Sequence, residues 1–249
     1  MCRIKQLFLF FLIMTASTFA SEPDFGKFDG TAVILDLNTS AKTVYGIHAD
    51  ERVNPCSTFK ILNSMIALDS GVVRDENETI AWDGVVREYP VWNRDHTMRS
   101  AIGVSAVWFY QELARRVGAK RMAQMVSLAY YGNGDTSRTL TDFWLGGGSL
   151  LISPAEEAVF VKSLVEEKLP FSKRTMKTAK DIIILQKDGQ SALAGKTGSC
   201  GGIGWFVGFV ERREETQVFA FQIRGDGANG TEAKKIALEY LKNEGRQHP

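Results

Sequence analysis

Ser57 and Lys60 stand three residues apart in the stretch Pro55-Cys56-Ser57-Thr58-Phe59-Lys60. On a helix, positions i and i+3 share a face, so the lysine amine reaches back to the serine hydroxyl. A serine hydroxyl is a poor nucleophile until a base takes its proton. A free lysine, with a pKa of about 10.4, is a poor base at neutral pH. Burial depresses that value. The pair therefore reads as nucleophile and general base on one condition, that Lys60 is buried. Without burial, Ser57 is a helix cap and Lys60 a surface lysine. No histidine is near in sequence, and there is no G-x-S-x-G elbow to offer another base. Ser57 falls at the expected helix start, where free N–H groups favour developing negative charge.

Two further stretches carry chemistry of the same kind. Ser105-Ala106-Val107 precedes an expected helix, so Ser105 is either a second working hydroxyl or a cap. Lys196-Thr197-Gly198 falls on an expected strand. It offers a cation, a hydroxyl and a point without a side chain where a ligand can lie against the backbone. His48, His96 and His248 and the cysteines make no metal-ligand spacing. No metal and no bound organic cofactor is expected.

These residues need elements to position them. Thr31 to Leu37 and Thr43 to Ile47 read as a hairpin around Asn38-Thr39-Ser40. Asn54-Pro55 breaks the chain, and from Ser57 the apolar positions recur at helical spacing up to Gly71, a C-cap. Helices are expected over Val107 to Val117, Arg121 to Tyr130 and Pro154 to Glu167. The last is opened by a Ser153–Glu156 capping box. Ala192 to Thr197, Gly204 to Val210 and Thr216 to Ile223 read as strands, the last two joined by the charged turn Glu211 to Glu215. Thr231 to Asn243 reads as a closing amphipathic helix. The order predicts an α+β fold. An antiparallel sheet is assembled from both chain ends and flanked by helices, with a mostly helical insertion over roughly 72–182.

Bulk properties narrow the function classes. A formal net charge of +1 gives no footprint for nucleic acid and leaves a small-molecule substrate as the expected partner. Arg3 and Lys5, the apolar run Leu7 to Met14 and the small residues ending at Ala20 have the layout of a secretory signal peptide. A retained anchor is the alternative, but a spanning helix needs about 20 apolar residues. The expected organisation is a leader over 1–20 and one catalytic domain over 21–249. The mature protein would be secreted or periplasmic, not inserted in the membrane, and a monomer or homodimer.

Taken together and in this order, Ser57-x-x-Lys60, Ser105-x-Val107 and Lys196-Thr197-Gly198 resemble the signature of penicillin-recognising serine enzymes. Within that superfamily the chain resembles the class D, or oxacillinase-type, β-lactamases. Val107 stands where class A enzymes and most transpeptidases carry Asn. Tyr131-Gly132-Asn133, Phe143-Trp144-Leu145 with Leu151-Ile152-Ser153, and Gly204-Trp205-Phe206-Val207-Gly208 are similar to further class D stretches. The likeness covers nearly the whole mature chain.

The resemblance implies a β-lactamase/transpeptidase-like fold and β-lactam hydrolysis through a Ser57 acyl-enzyme. It implies that CO2 or bicarbonate converts Lys60 to N6-carboxylysine, the general base. Val107 would keep that pocket dry, and Trp144 would donate its indole N–H to the carbamate. Ser105 would relay a proton to the leaving nitrogen, and Lys196 would supply positive charge. Thr197 would bind the substrate carboxylate beside Gly198, and the N–H groups of Ser57 and Ser199 would form the oxyanion hole. A Cys56–Cys200 disulfide is implied by related carbapenemases bridged at the same two points. A late carboxylate-binding cation is left open among Arg224, Lys234 and Lys235. The chain departs from the pattern in one extra residue between Trp144 and Ser153, in the glycines at 146–148, and in a short segment after Gly198. The same motifs also serve D-Ala-D-Ala carboxypeptidases, transpeptidases and sensors that are acylated without turnover.

Overall fold

A computed structural model describes residues 22–247 except Glu214; the expected leader lies outside these residues. Six antiparallel strands form one sheet in the order β2-β1-β6-β5-β4-β3. The chain ends meet at its centre. β1 (Asp29–Asp36) pairs with both β2 (Lys42–Tyr45) and β6 (Glu215–Arg224). β5 (Ile203–Arg212), β4 (Ser191–Cys200) and the edge strand β3 (Ile184–Asp188) follow. Sequence reasoning did not name β3; it is largely exposed, so no apolar alternation marks it.

β5 reads Ile-Gly-Trp-Phe-Val-Gly-Phe-Val because both faces are covered. Trp205, Val207 and Phe209 enter the larger core, whereas Phe206 and Val210 enter a smaller one under α7 (Gly230–Gln247). Side chains alternate along a strand, so the two sets point to opposite faces. The larger core carries α1 (Lys60–Asp69), α2 (Met98–Val104), α3 (Val107–Val117), α4 (Ala119–Leu128), α5 (Pro154–Val165) and α6 (Lys173–Ile182). The inserted helices α2 to α6 end at Ile182, where the insertion was expected to close.

Local signals explain most boundaries. Gly71 has φ +67°. Its N–H reaches Leu68 O at 3.1 Å, and that of Val72 reaches Ala67 O at 3.3 Å, a glycine-closed C-terminus. Ser153 and Glu156 form the expected capping box at the start of α5, a feature worth about 1 kcal/mol. Two expectations shift. α4 begins at Ala119 and stops at Leu128, because Tyr130 turns to φ +50°. Ser57 does not open an α-helix. It sits in a 3-10 turn, Cys56–Phe59, and α1 starts only at Lys60.

Candidate active site

The 3-10 turn sharpens the Ser57–Lys60 geometry, because side chains three apart eclipse one another in it. The Lys60 amine is hydrogen-bonded to Ser57 Oγ at 2.6 Å. Lys60 is fully buried and its Nζ lies 5.5 Å from the centre of the Tyr110 ring. Burial first, and then the charge of Lys196, hold the Lys60 pKa well below its usual value. The condition set by the sequence is therefore met.

Ser105 is a C-cap after all, closing α2, and it is also in the site. Its φ is +58°, and its N–H bonds Ile102 O at 3.2 Å. Lys196 donates to Ser105 Oγ at 3.0 Å and to Thr197 O at 2.7 Å. Burial, together with the charge of Lys234, lowers the Lys196 pKa to about 7. Val107 is half-buried at the first position of α3.

β4 closes the site from the sheet side. A Cβ added at Gly198 would stand 2.9 Å from Pro55 O and 3.3 Å from Ser57 N, so only glycine allows the strand this near the nucleophile. Ser199 follows, its Oγ accepting from Gly230 N at 2.7 Å. Cys56 and Cys200 are joined by a disulfide with Cα atoms 5.8 Å apart. β3 pairs with β4 only from Ser191 to Ala194, so among the described residues the segment 196–200 has no strand on its outer edge. Ser57, Lys60, Ser105, Lys196, Thr197, Gly198 and Ser199 thus converge where α1, the α2–α3 corner and the end of β4 meet. A larger groove of about 500 Å³ between α4 and α5 touches none of them.

Residues 24–242 match the penicillin-binding protein transpeptidase domain family. A class D β-lactamase from Bacillus subtilis, solved as a crystal structure, is 41% identical with a TM-score of 0.87, over 90% of this chain and 96% of that one. The chain belongs to the class D β-lactamases. β-Lactamase OXA-48 of Klebsiella pneumoniae is 39% identical over 88% of this chain and 84% of its own length. The regulatory protein BlaR1 of Bacillus licheniformis is 34% identical over 89% of this chain, which spans 38% of BlaR1.

Against the class D pattern, the extra residue before Ser153 falls in a loop closed by Asn54. The Asn54 amide donates to Gly148 O and Leu150 O, both at 3.0 Å, and its Oδ1 accepts from Gly147 N at 2.9 Å. Trp205 Nε1 in turn donates to Asn54 O at 3.0 Å, and Cys56 N to Trp144 O at 3.0 Å. The glycine loop, the nucleophile turn and β5 form one hydrogen-bonded unit. Sequence reasoning read Asn54 only as a chain breaker; its side-chain role leaves no sequence signal. Trp144 stacks on Phe59 at 5.3 Å, fully buried, and among the described residues its indole N–H has no hydrogen-bond partner.

The three late cations separate clearly. Arg224 is engaged elsewhere, by Glu51 at 2.5 Å and Gln222 at 2.7 Å. Lys235 is exposed. Lys234 lines a small cavity of about 110 Å³ together with Lys196 and Thr197.

Proposed function

We propose that this chain hydrolyses the amide of the β-lactam ring in penicillin-type antibiotics through a Ser57 acyl-enzyme. The observation that carries this reading is the fully buried Lys60 amine 2.6 Å from Ser57 Oγ. Ser57 Oγ attacks the ring carbonyl as its proton is taken at the Lys60 position. The backbone N–H groups of Ser57 and Ser199 receive the oxyanion. The ring C–N bond breaks, and the Ser105–Lys196 pair delivers a proton to the leaving nitrogen. Thr197 and Lys234 hold the substrate carboxylate. Water then cleaves the ester and regenerates Ser57.

The residues around Lys60 fit N-carboxylation by CO2. Burial holds its amine pKa well below the usual lysine value, and among the described residues the Trp144 N–H is a buried donor without an acceptor, a state that costs free energy until an acceptor arrives. The carbamate, when formed, supplies an anionic oxygen base. Trp144 would hold it, and Val107 at the edge of the pocket would keep water out. The residues before Ser21 are proposed to export the chain to the periplasm or beyond the cell. Among the described residues no helix is long and apolar enough to cross a membrane.

The test is nitrocefin hydrolysis with and without bicarbonate, on wild type and Lys60→Ala. Turnover by wild type, stimulated by bicarbonate, and a loss of at least about 10³-fold in Lys60→Ala are expected. A burst of acylation without turnover would assign the chain instead to the sensor role that its likeness to BlaR1 brings into view.

A further inference from the structure

Glu157 takes no part in the reaction just described, yet it sits fully buried on the core face of α5. Its Oε1 lies against two hydroxyls, Thr58 Oγ1 at 2.5 Å and Tyr131 OH at 2.8 Å. Thr58 Oγ1 also lies 2.8 Å from Pro55 O. Three contacts need three protons. Thr58 and Tyr131 supply one each, and a hydroxyl has only one to give. The third is supplied only if the Glu157 carboxyl is itself protonated. Tyr131 then donates to Glu157, Glu157 donates to Thr58, and Thr58 donates to Pro55 O. An ionised Glu157 leaves the carboxylate and the Pro55 carbonyl competing for the single Thr58 proton.

The surroundings favour the same state. Glu157 Oε2 is buried without a hydrogen-bond partner, which a carboxylate tolerates far less well than a carboxyl. Among the described residues no cation pairs with the group. The charge that acts on it is Glu156, one residue away, and Arg52 is committed to Glu156. Tyr131, on the turn after α4, is held well above its usual pKa and stays a donor. The core residues of β1, β5 and β6 on this side, Val33, Val207, Val218 and Ala220, carry no charge, nor do the buried residues of α6. Burial raises the Glu157 pKa to about 7.

We propose that Glu157 is a positioning residue that works in its protonated form, fixing through Thr58 the Pro55 carbonyl and with it the turn that presents Ser57 to β4. Thr58 adjoins the nucleophile, and Pro55 O is the atom that faces Gly198 across the gap. Loss of the proton draws the Thr58 hydroxyl off Pro55 O and leaves an unpaired charge behind Ser57. Acylation by Ser57 therefore falls as Glu157 ionises.

The proposal rests on the hydrolase reading for its kinetic arm and stands apart from it in its physical arm. Glu157→Gln keeps the shape and, with its amide nitrogen in the place of Oε1, donates at every pH to Thr58 Oγ1 and to the Tyr131 oxygen. Its rate of acylation by a fluorescent penicillin should lie within about threefold of wild type near pH 6 and exceed wild type several-fold near pH 8, with KM little changed. Thr58→Val, which breaks the chain of donors, should be slow at both pH values. Wild type should lose stability to urea as pH rises from 4.5 to about 7, because the native state holds a proton that the unfolded state releases. Glu157→Gln should lack that fall. An infrared carboxyl band present near pH 6, and missing in Glu157→Gln, should report the proton directly. Superposable pH profiles of acylation and unfolding for wild type and Glu157→Gln, or absence of the band, would overturn the proposal. If penicillin labels neither protein, the hydrolase reading fails, and the unfolding and infrared measurements still decide the protonation state.

Discussion

Lys60 and Lys196 are both buried lysines, each bonded to a serine hydroxyl, yet their settings differ. Lys60 rises from α1 with its amine over the Tyr110 ring, and its hydrogen bond goes to Ser57. Lys196 projects from β4 and shares its protons between Ser105 Oγ and the Thr197 carbonyl. Burial and then the charge of Lys196 hold the Lys60 pKa well below its usual value, whereas Lys196 sits near 7. The amine with the strongly lowered pKa suits proton removal, and the one near 7 suits holding charge beside a substrate. Opposed environments, not residue type, divide base from cation.

Breaking this division at Lys196 has a larger effect than breaking it at Trp144 or Lys234. Lys196→Ala should lower kcat/KM for nitrocefin on the order of 10²-fold, by loss of charge and of the Ser105 partner. Lys196→Arg should keep part of the activity and reduce the fall in rate expected as wild type passes above pH 7, where Lys196 gives up its proton, leaving the part that follows Glu157. Trp144→Phe tests the dry side. It removes the unpartnered N–H together with part of a fully buried ring, so stability should fall by about 1–2 kcal/mol while bicarbonate stimulation needs about tenfold more bicarbonate, read by titrating turnover. Lys234→Ala is the smallest break, raising KM several-fold with kcat within about twofold, because it removes binding common to ground and transition states.

The strands β1, β4, β5 and β6 were legible because each carries a run of β-formers. The α5 start was legible because a capping box is local chemistry. The catalytic motifs were legible through a resemblance that spans the chain. Burial of Lys60 was not, since Phe59 and Ile61 report an apolar segment but not what lies across from it. Nor was the engagement of Arg224, which depends on Glu51 lying 173 residues away from the arginine it holds. Glu157 escaped for the same reason. On the sequence it is one of two adjacent glutamates, and only packing separates the exposed-side partner of Arg52 from the buried partner of Thr58.

Ser105 occupies the left-handed region of backbone space at the corner between α2 and α3. For a residue with a Cβ that conformation costs on the order of 1 kcal/mol, a cost glycine escapes. Ser105→Gly should accordingly melt at a higher temperature than wild type while its turnover collapses for want of the hydroxyl. Selection for turnover would retain the serine, and a screen for heat tolerance alone would discard it.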